Sequence, residues 1–316
     1  MGMEFALAGL GLVILLLAGD VLVKGAVNLS LRLGIPALIV SLTIVAFGTS
    51  APELLISIKS ILDGVPGLAL GNVVGSNTAN ILLVLGIPAI ISGLHAASDT
   101  RRSYMIMIAG SLLFTGLAFV GPITWWHGLI LLSVLFWVLF DTARSASAHR
   151  NGTADAAPTE EIEEADPDMA WWKIGLYLGL GLIGLPLGAD LLVDSSVAIA
   201  TAYGVSDTVI GLTLVAIGTS LPELATTVMA AIRRHTDVAL GNVIGSNMFN
   251  LLAIIGISSF VGPIPVDPAI LRFDIWVMLA ASAVLAPFVF YRWAMGRAVG
   301  AVFTVLYVGY ITLLLL

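Results

Sequence analysis

The chain has 316 residues, 59% of them hydrophobic and only 10% charged, with a formal net charge of −7. A mean hydropathy of +1.06 is far above that of a soluble domain and points to a polytopic membrane protein. The absence of cysteine excludes disulfides, thiolate metal sites and cysteine nucleophiles.

Ten apolar runs near the ~20-residue length that crosses a bilayer as a helix can be laid along the chain. Their continuity favours helices over the alternating strands of a barrel. The expected fold is therefore all-α and polytopic, with ten transmembrane helices. The first run, 5–30, carries Asp20; Lys24 is the first base, so no basic segment precedes it as in a signal peptide, and it is expected to stay in the mature chain. The second, 37–62, contains "AFGTSAPELLIS", which places Glu53 beside Pro52 near mid-membrane. The third, 68–92, contains "GNVVGSNTAN". The fourth and fifth are 104–120 and 123–141, with Trp125 and Trp126 at a span end as interfacial anchors.

A connection over 142–170 follows, rich in acids: Asp155, Glu160, Glu161, Glu163, Glu164, Asp166 and Asp168. It reads as a solvated linker, because such segments cannot bury enough surface to fold, and it lacks the spacing of an EF-hand. The sixth run, 171–201, opens on Trp171 and Trp172 and carries Asp190. The seventh, 207–232, contains "AIGTSLPELATT", and the eighth, 238–261, contains "GNVIGSNMFN". The ninth and tenth are 273–293 and 298–316. Of the bases, Lys24, Arg32, Arg101, Arg102, Arg144, Arg150, Lys173, Arg233, Arg234, Arg292 and Arg297 fall on one side and only Lys59 and Arg272 on the other. The positive-inside rule then puts both termini outside and the acidic linker in the cytoplasm.

Sliding the chain against itself by 170 residues aligns "SLTIVAFGTSAPEL" with "GLTLVAIGTSLPEL", and "LALGNVVGSNTANILLVLG" with "VALGNVIGSNMFNLLAIIG". A weaker echo pairs "AGDVLV" with "GADLLV". Each copy holds five spans, so the second enters the membrane from the opposite face. The expected organisation is a five-helix repeat at 1–141, a linker at 142–170 and an inverted five-helix repeat at 171–316. Duplication retained for packing alone would match apolar residues. Here the polar residues match.

Glu53 and Glu223 occupy equivalent mid-membrane positions, where a carboxylate costs about 3 kcal/mol or more by insertion scales and marks a functional site. No base is predicted at that depth. Pro52 and Pro222 lack an amide hydrogen and are expected to free carbonyls near Gly48 and Gly218, where glycine lets the backbone unwind. Thr49, Ser50, Thr219 and Ser220 add hydroxyls within a turn. In the following spans Ser76 and Asn80, and Ser246 and Asn250, lie four apart and so share a helix face. Gly71, Gly75, Gly241 and Gly245 stand at the small-xxx-small spacing that lets helices approach closely. The inventory is all oxygen, which suits a hard cation such as calcium or sodium rather than zinc or copper.

The paired motifs "AFGTSAPE" with "GNVVGSNTAN", and "AIGTSLPE" with "GNVIGSNMFN", resemble the sodium/calcium exchanger family of the cation/calcium antiporter superfamily, and the ten-span layout extends the likeness over nearly the whole chain. The resemblance implies a secondary antiporter of the cell membrane, working by alternating access, with a central ion cluster. It places in that cluster Glu53, Thr49, Ser50, Ser76, Asn80 and the Ala46 carbonyl, with Glu223, Thr219, Ser220, Ser246, Asn250 and the Ala216 carbonyl. It further implies that the first and sixth helices form a sliding gate; the Asp20 and Asp190 they carry are expected to make helix-end hydrogen bonds, with a contribution to gating as the alternative. Family members with potassium dependence carry aspartate at the position of Asn250, so potassium independence is expected. The proton-coupled branch has an acidic residue and histidine in this motif, which neither copy has. No cofactor, enzymatic activity, nucleic acid or obligate protein partner is implied; calcium and sodium are the expected cargo, the bilayer the surroundings, and a monomer the working unit.

Three other readings remain open from the residues. They are a proton-coupled or potassium-dependent calcium antiporter, a calcium-permeable channel, and an intramembrane hydrolase built on Ser50 or Ser220. The last lacks a base, because His95, His127, His149 and His235 fall in loops or at span ends.

Overall fold

The computed structural model describes residues 2–96, 100–152, 166, 168–204 and 216–315. Among them the helices are α1 (Gly2–Leu33), α2 (Ala37–Leu62), α3 (Gly67–Ile91), α4 (Thr100–Val120), α5 (Trp125–Gly152), α6 (Trp171–Ala202), α7 (Leu221–Ile232), α8 (Thr236–Val261), α9 (Ile270–Phe290) and α10 (Arg297–Leu315). Nine of these are long and apolar enough to cross a membrane. The tenth, α7, is shorter because part of its predicted span, 207–215, lies outside the described residues; the described part opens with a turn at Ala216–Gly218.

Burial sorts the helices. The apolar stretch of α8 is wholly buried and that of α3 is 78% buried, so the two helices bearing the "GSN" motifs form the centre of the bundle. Apolarity on every side is what such a position requires. The glycine prediction holds where its partner is described: a side chain on Gly245 would meet the Leu42 carbonyl at 2.5 Å, and one on Gly241 the Leu38 carbonyl at 2.9 Å. The stretch of the second repeat that corresponds to Leu38–Leu42 is 208–212, outside the described residues, so the equivalent seam for Gly71 and Gly75 is not described.

Two apolar clusters divide the molecule. One follows the α1–α6 seam through Leu15, Leu22, Ile174 and Leu185 and also takes in Val40 and Val45 of α2 and Ala225 of α7; the larger spans most of the remaining helices and reaches α1 at Val23 and Val27. Along the α1–α6 seam the backbones touch: a Cβ on Gly11 would lie 2.7 Å from the Leu192 amide, and one on Gly181 2.5 Å from Leu22 Cβ. Those two contacts are the same contact seen from each repeat, since 11 and 181, like 22 and 192, differ by the 170-residue offset. The β-bridges Leu94↔Met295 and Ile123↔Ile264 come close to a second such pair, Leu94 corresponding to Ile264 and Met295 lying two residues past the counterpart of Ile123, and tie connections of one repeat to those of the other.

Two local features differ from the expected layout. Helix α5 does not stop at 141 but runs to Gly152, because nothing between Asp141 and Gly152 breaks a helix. The linker acids Asp155, Glu160, Glu161, Glu163 and Glu164 lie outside the described residues, whereas Asp166 donates its amide to Asn28 Oδ1 at 2.9 Å and Asp168 lies 3.9 Å from Arg32, anchoring the end of the linker to α1. Trp125, Trp126, Trp171 and Trp172 are exposed at the first turns of α5 and α6, as expected of interfacial anchors.

Candidate ion site

Helix α2 breaks at Ser50, which has φ −86° and ψ 5°, and α7 begins after Ser220, at φ −91° and ψ 6°. The two breaks are the same feature in each repeat. Pro52 and Pro222 sit at the start of the helix that follows, where the first amides have no intrahelical partner and a missing one costs little. The prolines therefore begin a helix as well as denying Gly48 and Gly218 an i+4 donor. Those glycines also serve close approach, which their spacing in the sequence does not reveal. A Cβ on Gly48 would fall 2.1 Å from Leu182 Cδ2, and one on Gly218 2.5 Å from Val193 Cγ2, both on α6.

Glu53 and Glu223 lie in the first turns of these new helices, whose amide ends favour a negative charge. They are 1% and 0% exposed and within electrostatic reach of one another. Neither Ser50 nor Ser220 caps its own helix with its side chain. Ser50 Oγ instead crosses between repeats and donates to Glu223 Oε1 at 3.0 Å. Ser246 Oγ lies 3.5 Å from the same carboxylate oxygen and 3.5 Å from Thr49 Oγ1. The arrangement is unequal between halves, since Ser220 Oγ has no hydrogen-bond partner.

Four asparagines order the opposite wall. Asn77 Nδ2 donates to the Asn247 carbonyl at 3.1 Å and Asn247 Nδ2 to the Asn77 carbonyl at 3.2 Å, a reciprocal clasp between α3 and α8. Their remaining amide oxygens accept from Asn80 and Asn250, each at 3.0 Å. The clasp thus engages the donors of Asn80 and Asn250 and leaves their Oδ1 atoms unpaired. Asn80 and Asn250 also begin matched π-helical turns, Asn80–Val84 and Asn250–Ile254, a feature frequent at functional sites.

Within the repeated motifs, five buried side-chain oxygens are without a hydrogen-bond partner: the matched pairs Glu53 Oε2 with Glu223 Oε2 and Asn80 Oδ1 with Asn250 Oδ1, and Ser220 Oγ. Leaving a buried polar group unpaired costs about 1–3 kcal/mol each, so such a set in matched positions indicates a binding site for something electropositive. Ser76 and Ser246 are buried on the faces that carry Asn80 and Asn250. Thr49 Oγ1 lies 3.3 Å from Asn242 Oδ1, and Thr219 Oγ1 lies 3.5 Å from the equivalent Asn72 Oδ1. The Ala46 carbonyl accepts from the Ser50 amide at 3.1 Å and from Thr49 Oγ1 at 3.3 Å, while Ala216 opens the turn ahead of Ser220. Among the described residues no cluster of three or more His, Cys, Asp or Glu exists, so the chemistry is that of two carboxylates completed by neutral oxygens.

Asn72, Asn77, Asn242 and Asn247, which bond to the candidate site residues, are the polar groups that sequence reasoning misses, although each is duplicated within the same quoted motifs. Duplication of a polar residue inside an apolar span is the signal that could have found them. His127, the one buried histidine among the described residues, bonds at Nδ1 with the Thr124 amide at the start of α5 and has no place at the carboxylates.

The sequence model of the family described as "Sodium/calcium exchanger protein" matches residues 3–141 and 173–316. The chain is 35% identical over 302 residues to the inner membrane protein YrbG of Escherichia coli, covering 95% of this chain and 93% of that one. It is 33% identical to the sodium/calcium exchanger MaX1 of Methanosarcina acetivorans, covering 98% of each. Among solved structures, the sodium-calcium exchanger NCX_Mj soaked with sodium and strontium superposes with a TM-score of 0.83 at 31% identity, over 98% of this chain and 97% of that one. With the family model matched over both repeats and relatives at 33–35% identity over nearly the whole chain, the chain belongs to the sodium/calcium exchanger family and is a membrane antiporter, not an enzyme.

Proposed function

We propose that this chain exchanges sodium ions for calcium by alternating access, without potassium and with net movement of charge. The observation that carries the proposal is a pair of buried, electrostatically interacting glutamates, one from each repeat, each with a carboxylate oxygen that has no hydrogen-bond partner. The Glu223 carboxylate is met by the hydroxyls of Ser50 and Ser246, not by bases. Two negative charges balance one calcium ion, or two sodium ions with a further sodium on neutral oxygens. Calcium and sodium sets then compete for one cage. In this reading the ligands are Glu53, Glu223, Asn80, Asn250, Thr49, Thr219, Ser50, Ser220, Ser76 and Ser246, with the Ala46 and Ala216 carbonyls.

Asn250 supplies a neutral oxygen and places no third carboxylate in the cage, which favours potassium independence. Neither motif copy offers the acid and histidine of a proton-coupled site. The distribution of bases supports both termini outside, the linker in the cytoplasm and residence in the cell membrane; a single copy holds every proposed ligand, which favours a functional monomer. Calcium-45 uptake into sodium-loaded vesicles tests the whole reading. Uptake should vanish without trans sodium, persist without potassium, and quicken under a potential positive inside the vesicle as several sodium ions leave per calcium. Uptake driven by a proton gradient alone would transfer the assignment to proton exchange, and flux needing no counter-ion would make it a channel.

A further inference from the structure

The two ends of the path to the glutamates are not alike. On α1, Gly19 packs against α7, a Cβ there falling 3.0 Å from the Ala225 carbonyl and 3.3 Å from Met229. At the next residue, Asp20 makes a bidentate ion pair with Arg233, at 2.8 Å from Nε to Oδ1 and 3.0 Å from Nη2 to Oδ2. Asp20, Lys24, Asn28, Arg233 and His235 line a cleft of only about 10 Å³, room for at most one water. Arg233 stands ten residues past Glu223, so this closure lies roughly 15 Å from the carboxylate along α7.

The inverted copy of that contact would join α6 to the second half of α2. It is missing: α6 scarcely touches Ala51–Leu62, and Leu55, the counterpart of buried Ala225, is 67% exposed. The residues there could not reproduce the pair either. Asp20 becomes Asp190, Arg233 becomes Asp63, and Lys24 becomes Asp194, so like charges stand where the first end has opposite ones. Lys59, the one base on this stretch of α2, is exposed and makes no ion pair among the described residues.

We propose that the Asp20–Arg233 pair is a one-sided latch, which holds the α1–α7 end of the ion path shut and biases the antiporter toward opening at its other end. The proposal rests on the alternating-access reading above. Because α1 packs chiefly along α6 and meets α7 on another flank, where Asp20 and Arg233 pair, any slide of α1 with α6 past α7 must break the pair. Both side chains are under a third exposed, at 29% and 24%, and the bond is two-pronged, so it is stronger than an ordinary surface pair.

The absence of native cysteine makes the test direct. Val27→Cys places a thiol in the cleft, and its labelling by a membrane-impermeant maleimide is followed in vesicles of each orientation. Asp20→Asn or Arg233→Gln should raise the labelling rate roughly fivefold, from the face that the orientation above makes cytoplasmic. Apparent calcium affinity from the opposite face should fall as the state open there is depopulated. The charge swap Asp20→Arg with Arg233→Asp should restore both values, which a merely structural role would not. Unchanged labelling in folded variants, alongside exchange by the unsubstituted chain, overturns the latch alone. Failure of the unsubstituted chain to exchange overturns the transport reading on which the latch depends.

Discussion

At Glu53 and Glu223 the cost of burial and the capacity to bind are the same fact. A carboxylate at this depth, with one oxygen unpaired, is tolerable when a cation completes it. We expect Glu53→Gln or Glu223→Gln to weaken calcium binding about 100-fold, in line with a loss of ~3 kcal/mol for a desolvated charge partner, and to stop exchange; filter binding of calcium-45 to purified protein measures it. In the proposed site Asn77 and Asn247 act one step back, accepting from the amides of Asn250 and Asn80 and leaving the Oδ1 atoms of that pair unpaired. Asn77→Ala and Asn247→Ala should each lower ion affinity on the order of 10-fold, as loss of an orienting partner does, while leaving the fold cooperative by thermal unfolding. An affinity equal to the unsubstituted protein's would mean that the clasp is only packing.

The helices position these groups by being broken or by being bare. The break at Ser50 turns one helix's carbonyl end and another's amide end toward the same point, as in other transporters with discontinuous helices. Bareness matters where α8 passes α2. A methyl on Gly245 would meet the Leu42 carbonyl at 2.5 Å and Ala46 Cβ at 2.6 Å, and neither can rotate away. Gly245→Ala should therefore cost about 1–3 kcal/mol of stability, whereas Gly179→Ala, which meets nothing within 4 Å, should not destabilise; fluorescence-detected thermal unfolding distinguishes them. The carboxylates, Asn80 and Asn250 were legible in the sequence because a polar residue in an apolar span is costly, and a costly residue kept in both copies of a repeat is there for its chemistry. The direction of the asparagine amides was not legible, since it depends on bonds between residues 167 to 173 apart. Nor were the π turns, which are set by packing around a central helix rather than by residue preference, or the partner of Asp20, which lies 213 residues away.

The whole molecule consists of two inverted halves that have divided their labour differently from their sequence boundaries. Helix α1 packs chiefly along α6, across the repeats. The smaller apolar cluster follows that seam and the larger spans most of the other helices, reaching α1 at Val23 and Val27, so a unit of α1 and α6 would cut through both copies. The pair's seam is made of several glycine contacts too close for one helix to slide far along the other, whereas α1 meets α7 through a single glycine contact, Gly19 against the Ala225 carbonyl, and one ion pair. Alternating access by the smaller unit predicts opposite effects from two disulfides introduced into this cysteine-free chain. Cysteines at Ala18 and Gly184, whose Cβ positions fall 2.8 Å apart, need the helices to part by about 1 Å to reach disulfide geometry. That bond lies within the moving unit and should leave calcium uptake largely intact. Cysteines at Gly19 and Ala225 would bridge α1 to α7, next in sequence to Asp20 of the ion pair, and oxidation should halt uptake until reductant is added. If the first bond stops transport and the second does not, α1 and α6 move against each other rather than together, and the division of the molecule into these two units is wrong.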